Sequence, residues 1–287
     1  DLVSAGWGLN PGIKTDFYST TNKYELEGRA WMPADIEYEL KFNRFLRFDT
    51  FAPEEDWETM HSVMLPNLPM LQGVEMVNNF DPLVPGSFQD WIDGINAEKP
   101  DPQILQMMNV GAVIGFDEQD LATVNRLEPT SSPIRLTGCA GIISGSEIEP
   151  KIVLQSDLNL LENLLVITED EIECHPGSDG ELNIVEKRNG YLKINVDVNQ
   201  PAWIFWSQTR SPGWKFKIDG EMRGQTYQVN YLFQGVPVGP EAEVVEIIYR
   251  PDSIIWGGAI TGISLLLVLG TLLKKKGSRN ENLVSGS

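Results

Sequence analysis

The sequence predicts a mixed α+β N-terminal part, then an antiparallel β-sandwich of jelly-roll-like kind, then one C-terminal transmembrane helix. Three observations carry this expectation. Residues 254–273 read IIWGGAITGISLLLVLGTLL without a single charge, and 20 residues at ~1.5 Å rise cover a bilayer core of about 30 Å. Residues 191–198 read YLKINVDV, where Leu192, Ile194, Val196 and Val198 alternate with polar neighbours, the period of a half-buried strand. Residues 101–116 place a proline-started apolar helix directly ahead of the apolar run VGAVIGF, which suggests a helix layered on a sheet. The expected division is 1–140 for the α+β part, 149–250 for the sandwich, 254–273 for the membrane helix and 274–287 for a cytoplasmic tail.

The membrane segment orients the rest. Lys274, Lys275 and Lys276 follow it at once, and the positive-inside rule puts that side in the cytoplasm and the bulk of the chain outside. A core helix is the alternative, disfavoured by the length of the run and the lysine stop. The chain opens at Asp1 with no basic start and no apolar run, so it is read as cleaved there or as part of something longer.

In the N-terminal part, Arg44–Phe51 (RFLRFDTF) reads as a strand. Ser87 is a candidate cap for a short helix holding Trp91, Ile92 and Ile95. Asp101-Pro102 has the cap-then-proline signature of a helix start, ahead of Ile104, Leu105, Met107 and Met108. Val110–Phe116 then reads as a buried strand. The turn-rich stretch Thr137–Pro150 looks like a join between domains. Beyond it, strands are expected over Leu182–Lys187, Tyr191–Val198, Ala202–Trp206, Trp214–Ile218, Gln225–Asn230 and Glu243–Tyr249. Asn189-Gly190 and Asp219-Gly220 supply tight turns between them. Pro251 cannot donate to a continuing ladder and ends the last strand.

The formal net charge is −19, and the tail from Lys274 is net positive, so the remainder is more acidic still. Such a surface repels nucleic acid and anionic lipid headgroups. No nucleotide-binding fingerprint or GxSxG is present. No cofactor and no catalytic residue is assigned. His61 and His175 are the only histidines, a poor supply for nucleophilic catalysis. Cys174-His175 with a carboxylate is a weak zinc pattern, set against a plain surface loop. Runs such as Glu54-Glu55-Asp56 and Glu169-Asp170-Glu171 read as solvated faces. Cys139 and Cys174 either form one disulfide outside the cytoplasm or remain two small buried hydrophobes. Trp203 and Trp206 are candidate glycan-stacking residues, with the core as the competing place for them. Asn79 and Asp81, in NNFDP, are candidate glycan contacts, with a local turn as the competing reading.

The set SPGWKFKIDG (211–220), Asn230 and FQGVPVGPEAEVVEIIYRP (233–251), leading straight into a membrane helix, resembles the C-terminal end of YfhO-like bacterial membrane proteins, which themselves resemble polytopic GT-C glycosyltransferases. LPNLPMLQGVEMVNNFDPLVP (65–85) and ILQMMNVGAVIGFD (104–117) look like upstream segments of the same family. The resemblance implies an extracytoplasmic accessory domain, acting in cell-envelope glycan or lipid-linked sugar transfer and closed by a last membrane helix. A polyprenyl-phosphate sugar would be handled by a membrane part that this sequence does not contain, and no catalytic residue transfers to any position here. The alternative is a single-span carbohydrate-binding or interaction ectodomain without catalysis. The chain has no N-x-Ser/Thr site, which fits the bacterial cell membrane that the resemblance implies.

Overall fold

The computed structural model describes residues 24–47, 49, 53–78, 83–97, 100–127, 131–145 and 148–284. The first unit is α+β. Strand β1 (Arg29–Trp31) pairs in parallel with β2 (Val110–Phe116), and β2 pairs antiparallel with β3 (Ala122–Arg126). Helices α1 (Ala34–Tyr38), α2 (Pro53–Ser62), α3 (Gly86–Ala97) and α4 (Pro102–Met107) surround this sheet. The signature at Asp101-Pro102 works by capping: the Asp101 carboxylate accepts the Gln103 N–H at 2.7 Å, and Pro102 occupies a position whose N–H would have no partner. Helix α3 starts at Gly86, with the Pro85 carbonyl accepting its first N–H groups, and buries Trp91, Ile92 and Ile95.

One expectation here is corrected. Arg44 and Phe45 belong not to a strand but to a π-helical stretch over Glu39–Phe45 that continues α1. Its Leu46 N–H reaches back to the Lys41 carbonyl at 2.7 Å. Helically spaced pairs hold it: Lys41 on Glu37, Asn43 on Glu39, and Arg44 on Glu39. Those local pairs outweigh the short apolar alternation that suggested a strand.

The β body is a five-stranded antiparallel sheet beside a closed five-stranded barrel. The sheet has the order β10–β9–β13–β7–β6, from β6 (Gly180–Arg188), β7 (Tyr191–Val198), β9 (Trp214–Ile218), β10 (Glu221–Gln225) and β13 (Val244–Tyr249). The barrel runs β11–β12–β8–β4–β5, from β4 (Ile134–Ile143), β5 (Asn163–Ile167), β8 (Ala202–Trp206), β11 (Tyr227–Val229) and β12 (Phe233–Val238). So the β content and the C-terminal helix are present, but the expected sandwich has a barrel as one of its layers. The antiparallel pairing of β11 with β5 closes it. Strand β4 lies across the stretch read as a join, and it pairs antiparallel with β8 and parallel with β5. Its Thr, Gly, Cys and Ala residues hide it from a pattern search, because they alternate in neither size nor polarity.

Strand β8 shows how the layers meet. Trp203 and Phe205 join a core with α3, α4 and the barrel residues Leu164, Val229 and Phe233. Ala202, Ile204 and Trp206 point the other way, into a core with Leu192, Ile194, Phe216, Val245 and Ile247 of the sheet. A strand buried on both faces reads as a continuous apolar run, which is why AWIFW has no alternation. The hairpin turn at Asp219-Gly220 has φ of 51° and 83°, the positive values its sequence calls for.

Cys139 and Cys174 are joined by a disulfide. Around it the 174–177 loop lies tight on β4: Cys139 donates its N–H to the His175 carbonyl at 2.7 Å, and Gly177 donates to the Asn163 side chain at 2.9 Å. Gly138 permits this approach, since a Cβ there would lie 2.0 Å from the Gly177 nitrogen.

A short helix α5 (Lys151–Leu154) lies between β4 and β5, and after Pro251 the chain forms α6 (Asp252–Val284). Among the described residues it is the one helix long and apolar enough to cross a membrane, over Asp252–Gly270. Residues 274–284, expected as a tail, continue the same helix.

Candidate functional site

A cleft of about 1060 Å³ opens where the α+β unit meets the loops after β8 and before β12. Its apolar lining includes Met32, Met76, Phe88, Ile92, Met108 and Phe233. Its polar groups include Arg29, Glu37, Glu75, Asn78, Gln89, Asp93, Asn96 and Ser207–Thr209. A large, mostly apolar concavity with a few converging polar groups is the usual form of a ligand site.

The polar groups are held in place by the fold. Arg29 leaves the first residue of β1 and is largely buried. Its guanidinium donates to the carbonyls of Met108 (3.0 Å) and Ser207 (2.7 Å) and pairs with Glu75 at 3.2 Å. It thereby ties the first unit to the barrel at the cleft wall. Buried Asn78 brackets Met32, accepting its N–H at 3.1 Å and donating to its carbonyl at 2.9 Å. Asn78 also donates to Glu37, which pairs with buried Lys41. A buried lysine requires such a partner, because an isolated charge there is costly.

The exposed edge is aromatic. Tyr38 and Phe42 are 61% and 50% exposed, and their rings lie 5.2 Å apart. They sit four residues apart on α1 and its π-helical continuation, hence on one face. Beneath α3, Trp91 stacks on Tyr231 with centroids 6.1 Å apart and meets Phe233 edge-on. The Tyr231 hydroxyl donates to Asp90 at 3.2 Å, and burial followed by that carboxylate raises its pKa.

Trp203 and Trp206 do not form a stacking platform. They are 3% and 6% exposed, each packed into a separate core, because β8 is covered on both faces. Asn79 and Asp81 lie outside the described residues. Tyr38 and Phe42 were missed because a single aromatic on a charged helix carries no pattern; their i, i+4 spacing in ADIEYELKF was the available signal. The weak zinc pattern at Cys174-His175 fails: Cys174 is consumed by the disulfide, and the described residues contain no metal-ligating cluster. His175 lies exposed beside Glu173 at 3.6 Å.

His61 stands apart from the cleft. It is fully buried in the Met-rich core of the first unit, and both ring nitrogens lack a hydrogen-bond partner. Burial lowers its pKa below the ordinary 6.5, against a smaller opposing pull from Glu58. Tyr24 stacks on it at 5.8 Å, and burial pushes the Tyr24 phenol up to about 12. The cleft therefore contains no histidine base.

No family model, curated protein or solved structure matches this chain.

Proposed function

We propose that this chain is an extracytoplasmic accessory domain of a membrane glycosyltransferase-like protein, and that it holds a neutral glycan in the cleft. The observation that carries the reading is the pairing of exposed Tyr38 and Phe42 with carboxamides and carboxylates around one concavity. Sugar rings present apolar C–H faces to aromatics and hydroxyls to amides and carboxylates. Among the described lining residues one cation, Arg29, stands against three carboxylates, Glu37, Glu75 and Asp93. That balance disfavours phosphate and other anions, so a polyprenyl-phosphate sugar belongs to a membrane part and not to this cleft. The motif series over 211–251 supports the glycosyltransferase-like context. The Cys139–Cys174 bond and the lysines at 274–276 support an orientation with the β body outside a bacterial cell membrane.

A single-span carbohydrate-binding ectodomain without catalysis uses the same cleft, and two measurements sort the readings. Calorimetric titration of the full chain in detergent with neutral cell-envelope oligosaccharides should give binding that Tyr38→Ala with Phe42→Ala weakens about tenfold or more, roughly 1.4 kcal/mol. Absence of binding to every neutral glycan counts against both readings. Deleting residues 1–250 from the intact protein should reduce glycosyl transfer with membrane insertion unchanged; unaltered transfer leaves only the binding-protein reading.

A further inference from the structure

The cleft and the membrane helix lie at the same end of the β body. In the barrel β8 finishes where β12 begins, as Trp206 pairs with Gln234, and in the sheet β13 finishes where β7 and β9 begin, as Tyr191 pairs with Ile248 and Trp214 with Tyr249. The Trp206 and Trp214 rings, 5.0 Å apart, bring these two ends together. Two chains of contacts connect helix entry to cleft. In the first, the Tyr249 N–H donates to the Gly190 carbonyl at the tip of the β6–β7 hairpin. Lys187 of that hairpin lies 4.0 Å from Glu75, which lines the cleft. In the second, the Arg250 N–H donates to the Gly213 carbonyl at 2.7 Å. The loop holding Gly213 begins at Ser207–Thr209, another part of the cleft wall.

At this cleft the protein exposes Tyr38, Phe42, Met70 and Val84, and Leu71 and Leu83, next in sequence to the last two, are exposed as well. Met70 and Leu71 are 64% and 55% exposed within a short 3-10 turn over Leu68–Gln72. An exposed apolar patch of this kind marks an interaction surface. Cations stand at the same end, each beside a carboxylate: Lys187 with Glu75, Arg188 with Glu186, and Lys215 with Asp252 at the helix entry. Such side chains lay their stems on apolar surface and keep their charge in the headgroup layer.

We infer that this end of the domain lies on the outer leaflet, with Met70, Leu71, Leu83 and Val84 seated in the headgroup–acyl boundary and the cleft opening at the bilayer surface. The tether sets the occupant: α6 enters lipid from the end that carries the patch, so the bilayer is the surface it must meet first. The inference depends on α6 crossing a bilayer and not on which ligand fills the cleft.

The test is photolabelling of the full chain in phosphatidylcholine nanodiscs, with a diazirine carried on a lipid acyl chain and the labelled peptides mapped by mass spectrometry. Residues 254–269 report the span itself. The inference expects additional label in the peptides holding 68–72 and 83–84. Exposed Ile142 and Met222, on strand segments far from the helix entry, should stay unlabelled. The double variant Met70→Asp with Leu71→Asp changes only exposed side chains; it should lose the label at 68–72 and keep it at 254–269. Label confined to 254–269 overturns the docking and leaves the span intact. Equal label at Met222 also overturns it. No label at 254–269 removes the span, and the docking falls with it.

Discussion

The β body over residues 131–249 and the α+β unit over 24–127 fill their cores with different side chains. Between barrel and sheet the packing is Ile194, Leu192, Val245, Ile247, Ile204 and Trp206, mostly stiff β-branched and aromatic groups. In the first unit Met32, Met60, Met64 and Met76 share the core with Leu40 and Ile114. Seven of the eight methionines of the chain lie between residues 32 and 108, which concentrates flexible, polarizable side chains in the unit that contributes most of the cleft. Met adapts to irregular shapes and to ligands of varying outline, whereas β-branched residues specify one packing. Buried nitrogens without a hydrogen-bond partner occur in both regions, on Trp31 and His61 in the first unit and at Arg210 Nε and Gln234 Nε2 in the β body. On the proposed reading the β body supplies rigidity and the tether, and the α+β unit supplies recognition.

The sharpest way to break this division is to cut the contact between the two regions. Trp91→Ala removes the ring that packs α3 onto Tyr231 and Phe233 and should cost about 3–5 kcal/mol, read as a lowered midpoint in guanidinium unfolding of the detergent-solubilised chain. Two separate transitions would mean that the regions fold independently. Next in size is the disulfide. Replacing both Cys139 and Cys174 by Ser releases a closed loop with a sequence separation of 35, at a cost of about 3–4 kcal/mol. The loss should fall on the β body, measured by amide exchange over 163–177.

A third pair of variants tests the two cores against each other. Ile194→Ala in the rigid core should cost about 2–5 kcal/mol, while Met76→Leu in the adaptable one should cost less than about 1.5 kcal/mol. Equal costs would erase the distinction. The smallest effect is pH-dependent. Because burial lowers the His61 pKa below 6.5, the unfolded chain takes up that proton first as pH falls. Stability from this site is complete above about pH 6.5 and is lost as pH drops below it. His61→Phe should remove that part of the slope; an unchanged profile would place the titration elsewhere.

Legibility in the sequence followed the range of the interactions. The turns at Asn189-Gly190 and Asp219-Gly220, the cap at Asp101 and the alternation of β7 are local, and each could be read directly. Strand β4 could not: its place between β8 and β5 is set by partners far along the chain, and its small residues answer to the close approach of the 174–177 loop. The π-helical stretch was hidden because RFLRF satisfies a strand pattern over five residues, while its Glu39 partner lies outside that window. The cleft was not visible at all, since Arg29, Asn78 and Gln208 meet only through the tertiary fold. The burial of Trp203 and Trp206 has the same origin: a strand's second face is covered by elements that its own sequence does not name.

The most direct measurement is hydrogen–deuterium exchange of the full chain in nanodiscs, with and without a neutral cell-envelope oligosaccharide. The account predicts ligand-dependent protection over 29–42, 74–78 and 207–209, with the five-stranded sheet unchanged. Protection centred on the sheet, or none in those three segments for a glycan that does bind, would contradict it.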